Sequence, residues 1–344
     1  MPAYSNGPLL VPATAAPPAN EGTGARPRRP SGLGSAGLVL MLAVLYFVLL
    51  LPVAPDLANI ENLKLILSNM LPLLAVTLGQ TFVLITKGID LSVTAIIAAA
   101  SVAGAAVMAL PGWTGAAALL VGSLVMVGLG AAVGLINGLA VTKLTMPPFM
   151  VTLSTMMALS GAAVFGTRGT GIYGLPAVLA VLSQEELGGV PYAALLVVPL
   201  GVFAHVLLFR TLLGRWLFAV GRNPKTARVS GVPVHRTIVL AYVLCGGFTA
   251  VGALLYTGRL ETGSPVLGQR IFLDVVGAAV MGGVSLFGGK GSVAGVLCGV
   301  LFITLIDNSL DILGFSSFAV LMTKGVVILM AAVLDATRAR RVAA

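Results

Sequence analysis

Apolar runs long enough to cross a bilayer recur along almost the whole chain, separated by segments too short to fold independently. The hydrocarbon core takes about 20 apolar residues in helical form, and lipid offers the backbone no hydrogen-bond partner, so a crossing segment must close its own hydrogen bonds. The runs are Ser35–Val53 and residues 62–85, 92–110, 115–141, 147–166, 192–210, 237–257, 272–287, 292–312 and 318–336. The expected fold is therefore all-α: a polytopic transmembrane helical bundle of about ten spans, eight or nine if 62–85 or 272–287 is re-entrant. Only 9% of the 344 residues are charged and 58% are hydrophobic, against roughly 25% charged in soluble domains.

The net charge of +9 does not point to nucleic acid. The basic residues sit in short segments beside apolar runs, where they orient a membrane protein. With ten spans and both termini cytoplasmic, fifteen of the twenty Lys and Arg face inward. Lys64, Arg168, Arg259 and Arg270 face outward and Lys324 falls within a span. Trp113 and Trp216 fall at the outer and inner edges, where indoles prefer to sit. Residues 1–34, rich in Pro, Ala and Gly and carrying Arg26, Arg28 and Arg29, read as a disordered cytoplasmic tail. Residues 35–337 form the membrane domain, and 338–344 a basic cytoplasmic tail. The 43 glycines suit closely packed spans.

Catalytic and metal chemistry find no support. Cys245 and Cys298 lie in apolar runs, His205 and His235 are far apart, and no nucleophile stands near a base. No catalytic residue, metal ligand or cofactor is expected on the chain. The stretch GGVSLFGGKGS (282–292) resembles a phosphate loop, but Gly291 follows Lys290 where the pattern needs Ser or Thr. It reads instead as a tight cytoplasmic turn.

One segment between spans stands apart. From Arg210 to Arg236 there are six basic residues and no acidic one. Asn223-Pro224 reads as a helix start and Gly231 with Pro233 as its stop, giving a short basic helix over 223–230 within the loop 211–236. It suits a handle for a cytoplasmic partner, or an ordinary positive-inside loop. The outer segments 167–191 and 258–271 carry mixed charge and could dock a soluble partner or simply be solvated.

Polar residues inside spans are the remaining signal. A charge in hydrocarbon costs about 2.5–3.5 kcal/mol on insertion scales, so it tends to face the bundle or a cavity. Asp274, Asp307, Asp311 and Lys324 are such groups. Asp307 and Asp311, four apart, share one helical face, and Lys324 could pair with either. Asp90 precedes the third span as a good N-cap. The candidates for a polar path are Gln80, Thr81, Asp90, Ser92, Asn137, Phe149, Thr152, Asp307 and Asn308; the neutral hydrogen-bonding groups among them, with aromatic neighbours such as Phe149, suit an uncharged polar solute such as a sugar, or equally interhelical hydrogen bonds.

Four stretches together resemble one family, the permease subunits of ribose-type sugar ABC importers. They are GQTFVLITKGIDLSVTAI (79–96), INGLAVTKLTMPPFMVTLSTM (136–156), VGRNPKTARVSGVPV (220–234) and GGVSLFGGKGSVAGVLCGV (282–300). The resemblance runs from about residue 36 to 336. It implies a bacterial inner-membrane permease that works with a second copy, with cytoplasmic ATPase subunits that bind ATP and magnesium, and with a periplasmic sugar-binding protein. It makes the 223–230 helix the coupling helix, with Gly221, Arg222, Asn223, Pro224, Ala227, Ser230 and Gly231 as the coupling residues. The chain departs from the family at Lys87 and Thr94, where Gly is usual, and at Asp307 and Asp311, where Asn is frequent. Two alternatives stay open. One is an ion-coupled carrier working through Asp307, Asp311 and Lys324. The other is a branched-chain amino acid permease.

Overall fold

The computed structural model describes residues 32–112 and 115–343, with side chains from Ala36 to Val333. The expected tail with Arg26, Arg28 and Arg29, the Trp113 ring, and the side chains of Arg338, Arg340 and Arg341 lie outside the described residues. Each of the ten apolar runs carries a helix. These are α1 (Gly32–Leu50), α2 (Ile60–Ile85), α3 (Val93–Met108), α4 (Gly115–Lys143), α5 (Pro148–Thr167), α7 (Ala194–Arg210), α10 (Val234–Leu260), α11 (Phe272–Met281), α12 (Val293–Ile312) and α13 (Ser317–Ala343). Five of them, α2, α4, α5, α10 and α12, are each long and apolar enough to cross a membrane. The chain is an all-α, multi-pass membrane bundle.

Among the described residues three α-helices lie between those runs, α6 (Ala177–Gln184), α8 (Leu212–Arg222) and α9 (Pro224–Val229), together with a short 3-10 turn at Pro55–Ala58. The structure corrects the sequence reading in two places and adds detail in a third. The 211–236 segment is not a loop with one helix, because α8 leaves α7 at a bend of 69° before α9 begins. Thr211 is extended there and its hydroxyl accepts from the Gly214 N–H, capping α8. Segment 167–191 contains α6 and a two-residue antiparallel hairpin, β1 (Glu186–Leu187) with β2 (Val190–Pro191). Finally, α11 ends at Met281, six residues short of its apolar run, because Gly283 takes a left-handed φ of +84°.

The hub is α2, in which every residue from Met70 to Ile85 is buried. A helix apolar all round belongs at the centre of a bundle. At the periphery α5 exposes most of its length, including Met150, Met157 and Phe165. The backbones of α4 and α10 approach closely. A Cβ on Gly130 would fall on the Gly246 carbonyl oxygen, and one on Gly134 on that of Tyr242. Small residues let two backbones meet in this way where lipid supplies no hydrophobic drive.

Candidate functional site

The basic segment is built as a compact unit on the end of the bundle. Asn223 Oδ1 accepts from the Lys225 (3.0 Å) and Thr226 (3.1 Å) amides, and Pro224 occupies the first helical position of α9. Ala227 is buried with Val220 and Val234 in a small cluster. Ser230 caps the far end and Gly231 follows at φ +81°. The outer face of α9 is left to solvent, with Lys225 and Arg228 exposed and Val229 90% exposed.

This unit is fastened to two spans at one point. Gly221 is buried, and a Cβ there would fall on the Ile85 carbonyl oxygen and 2.5 Å from the Gly289 nitrogen. The Gly289 N–H itself donates to Ile85 O (2.9 Å), and Lys87 Nζ donates to Arg222 O (3.3 Å). The 282–292 stretch closes on itself through Ser285 N–H to Lys290 O (3.2 Å) and Gly288 N–H to Ser285 O (3.0 Å). The end of α8, the end of α2 and the turn before α12 therefore meet as one knot. That turn spends its Gly289 amide on α2.

A second polar group surrounds the break between α2 and α3. Asp90 is fully buried, and its Oδ1 accepts from the Ser92 amide (2.9 Å) and hydroxyl (2.5 Å). The N-cap of α3 is Ser92, not Asp90; Asp90 closes an Asx-turn in front of it. Asn137 Nδ2 donates to Ser92 Oγ (2.9 Å), and Thr155 Oγ1 donates to Asn137 Oδ1 (2.7 Å). Gln80, with its amide oriented to satisfy both groups, donates to Asp90 O (3.3 Å) and accepts from Asp90 N (3.1 Å). Thr152 donates to Ile89 O (3.3 Å) as well as to its own helix. Gln80, Asp90, Ser92, Asn137 and Thr152 thus converge on the break and on one another rather than on the cavity lined by Asp307 and Asn308. Thr81 donates to Thr77 O within α2, and Phe149 is 53% exposed on α5.

Open space lies elsewhere. A cavity of about 510 Å³ sits where α2 and α11 begin and α10 and α12 end, and Asp307 and Asn308 line it with Asp274, Asp311, Arg259 and Asn69. Lys324 Nζ stands 2.7 Å from Asp274 Oδ1 and 3.0 Å from Asp307 Oδ1. The ion pair expected with Asp307 or Asp311 is thus a triad that takes in Asp274 on α11. Asn62 and Asn308 exchange amide hydrogen bonds at 3.0 and 2.7 Å. Arg259 and Tyr256 were missed as site residues by sequence reasoning. The apolar pattern ends α10 at 257 and leaves Arg259 to an outer loop, whereas the helix runs to Leu260 and carries Arg259 into the cavity wall. Among the described residues no three His, Cys, Asp or Glu side chains are grouped to hold a metal ion.

The chain matches the family described as branched-chain amino acid transport system / permease component over residues 62–334. It is similar to the ribose import permease protein RbsC of Bacillus subtilis strain 168, 39% identical over 76% of this chain and 80% of that protein. The RbsC of Escherichia coli K12 is 32% identical over 87% of this chain and 92% of that protein. The galactose/methyl galactoside import permease protein MglC of the same strain is 31% identical over 90% and 96%. No solved structure matches the chain.

Proposed function

Because the chain belongs to the branched-chain amino acid transport system / permease component family, in its ribose-type branch, we propose that it is the membrane-spanning subunit of an ABC importer that admits a sugar across a bacterial inner membrane. Two relatives are ribose permeases and one a galactose and methyl galactoside permease by name, which favours a sugar over a branched-chain amino acid. The subunit works with a second copy of itself, receives solute from a periplasmic binding protein, and leaves ATP and magnesium to cytoplasmic ATPase subunits. Both termini and the 211–236 segment face the cytoplasm.

The observation that carries this reading is the seating of Gly221 against Ile85 O and Gly289 N. A partner that grips the exposed face of α9 gains a short mechanical path to the end of α2 and to the turn leading into α12. Those two helices also wall the 510 Å³ cavity at their other ends. Displacement of α9 would then shift helices as rigid bodies, the usual currency of switching between packed states, and alternating access follows. The ion-coupled alternative is weakened by the Lys324 triad. Of its two acids, Asp307 is held by an ammonium at 3.0 Å and is engaged rather than free to relay an ion, which leaves Asp311 alone for that role.

The test is co-purification from detergent of the native chain beside a Gly221→Trp, Ala227→Glu, Gly231→Trp variant. Recovery of an ATPase with the native chain alone supports the reading. Uptake on an ion gradient by proteoliposomes of this chain alone, with no ATPase bound, overturns it.

A further inference from the structure

On the reading that the chain conducts a sugar, the chemistry of the cavity wall goes further than a passage requires. On one side α10 brings the Arg259 guanidinium, held by one hydrogen bond from Nη2 to Ser68 Oγ (3.2 Å). Among the described residues no carboxylate pairs with it. On the other side α12 presents Asp307 and Asp311, one turn apart on a shared face. Asp307 does not swing freely, because Lys324 Nζ donates to its Oδ2 (3.3 Å) and stands 3.0 Å from its Oδ1, and Asp274 in turn holds Lys324. The side chains of Lys324 and Asp274 are 12% and 15% exposed and that of Asp307 34%, so the open end of the triad is Asp307. Asn69 and the Tyr256 hydroxyl also line the cavity, without a hydrogen-bond partner among the described residues.

This division selects among solutes. An anion would meet the Asp307 and Asp311 carboxylates, and a simple cation would meet Arg259. A neutral molecule with several hydroxyls answers both sides, since each hydroxyl accepts from a guanidinium and donates to a carboxylate. A zwitterion carries a matching pair of charges, but an aliphatic side chain would leave Asn69 and Tyr256 unpaired, which sites built on polar groups discriminate against strongly. The volume lies within the roughly 300–1,000 Å³ range of small-molecule pockets. We propose that this cavity is a solute-binding site within the membrane domain itself, holding a neutral polyhydroxylated ring between Arg259 and Asp307, with Lys324 as the residue that positions the Asp307 carboxylate.

The test uses the full-length chain in nanodiscs with radiolabelled ribose, galactose and leucine. Saturable binding of one of the sugars is expected, weakened at least tenfold by Arg259→Gln or Asp307→Asn and unchanged by Arg168→Gln on the exposed outer segment. Lys324→Met should weaken sugar binding too. The loss should persist in Lys324→Met, Asp274→Asn even where the double variant melts like the native chain, which a merely structural lysine would not produce. A second arm bypasses folding defects in those variants. Ile312→Cys, in a Cys245→Ala, Cys298→Ala background, should react severalfold more slowly with a maleimide when the sugar is present. Absence of both saturable sugar binding and protection overturns the proposal, as does leucine binding in the sugar's place. If an ATPase co-purifies while no sugar binds, the site falls and the importer reading stands; sugar binding without an ATPase gives the reverse.

Discussion

Gly221 lies against the carbonyl oxygen of Ile85 so closely that no Cβ fits between them. Both partners of that contact are main chain, so neither yields by turning a side chain. Gly221→Ala should therefore force the segment away from α2, at a cost of about 1–3 kcal/mol typical of overpacking. The expected outcome is a lower melting temperature together with loss of solute-stimulated ATP hydrolysis in the assembled importer. Native melting and native coupling in the variant would remove Gly221 from the coupling path.

Asn223 caps α9 through two amides. Asn223→Ala should cost about 1 kcal/mol of local helix stability, and Asn223→Asp should retain most of it. Hydrogen exchange over residues 224–229 measures this. Faster exchange in the alanine variant alone, with weaker ATPase co-purification, is expected.

Lys324 pairs with two acids at once. Lys324→Met leaves Asp274 and Asp307 facing each other without a cation, and breaking a buried pair in this way costs about 3 kcal/mol or more. Adding Asp274→Asn and Asp307→Asn to Lys324→Met should recover most of the melting temperature, because a neutral trio has no charge left to desolvate. Failure of the triple variant to recover would place the role of Lys324 in something other than charge.

Asn137 ties Ser92, at the start of α3, to Thr155 on α5. Asn137→Ala leaves buried polar groups short of partners, worth about 1–3 kcal/mol. The expected signature is faster hydrogen exchange over residues 86–93 than over the rest of α2 and α3. Uniform behaviour across the bundle would deny that this network holds the break.

Lys87 adopts a left-handed φ of 66°, a conformation that costs a residue bearing a Cβ about 1–2 kcal/mol. Lys87→Gly should therefore hold or raise the melting temperature while losing the bond from Lys87 Nζ to Arg222 O. A clear fall in melting temperature would mean that this bond outweighs the backbone strain.

Much of the architecture was legible because the bilayer imposes a one-dimensional rule: a span must be apolar for its whole length. The ten runs each carry a helix for that reason. Local chemistry was equally readable at Asn223-Pro224 and Gly231, where capping depends on neighbours two or three residues away. The reading faltered where length and polarity conflict. The α8 helix is amphipathic rather than apolar, so its residues merged into a loop. The last turn of α10 carries a charge, so Arg259 was assigned to solvent.

The sequence by itself determined an all-helical membrane bundle, the side of each basic segment if the termini are cytoplasmic, a short capped helix within 223–230 and the family to which the chain belongs. Tertiary structure alone decided what the polar residues do. Gln80, Asp90, Ser92 and Asn137 read like a path but are engaged at the connection between α2 and α3, Gln80 with the Asp90 main chain, Asp90 with the Ser92 amide and hydroxyl, and Asn137 with the Ser92 and Thr155 hydroxyls. Asp274, Asp307 and Lys324 lie on three different helices, and only packing brings them within 3.0 Å. Sequence spacing reports which residues share a face of one helix; which faces of different helices share a cavity is set by how the bundle closes.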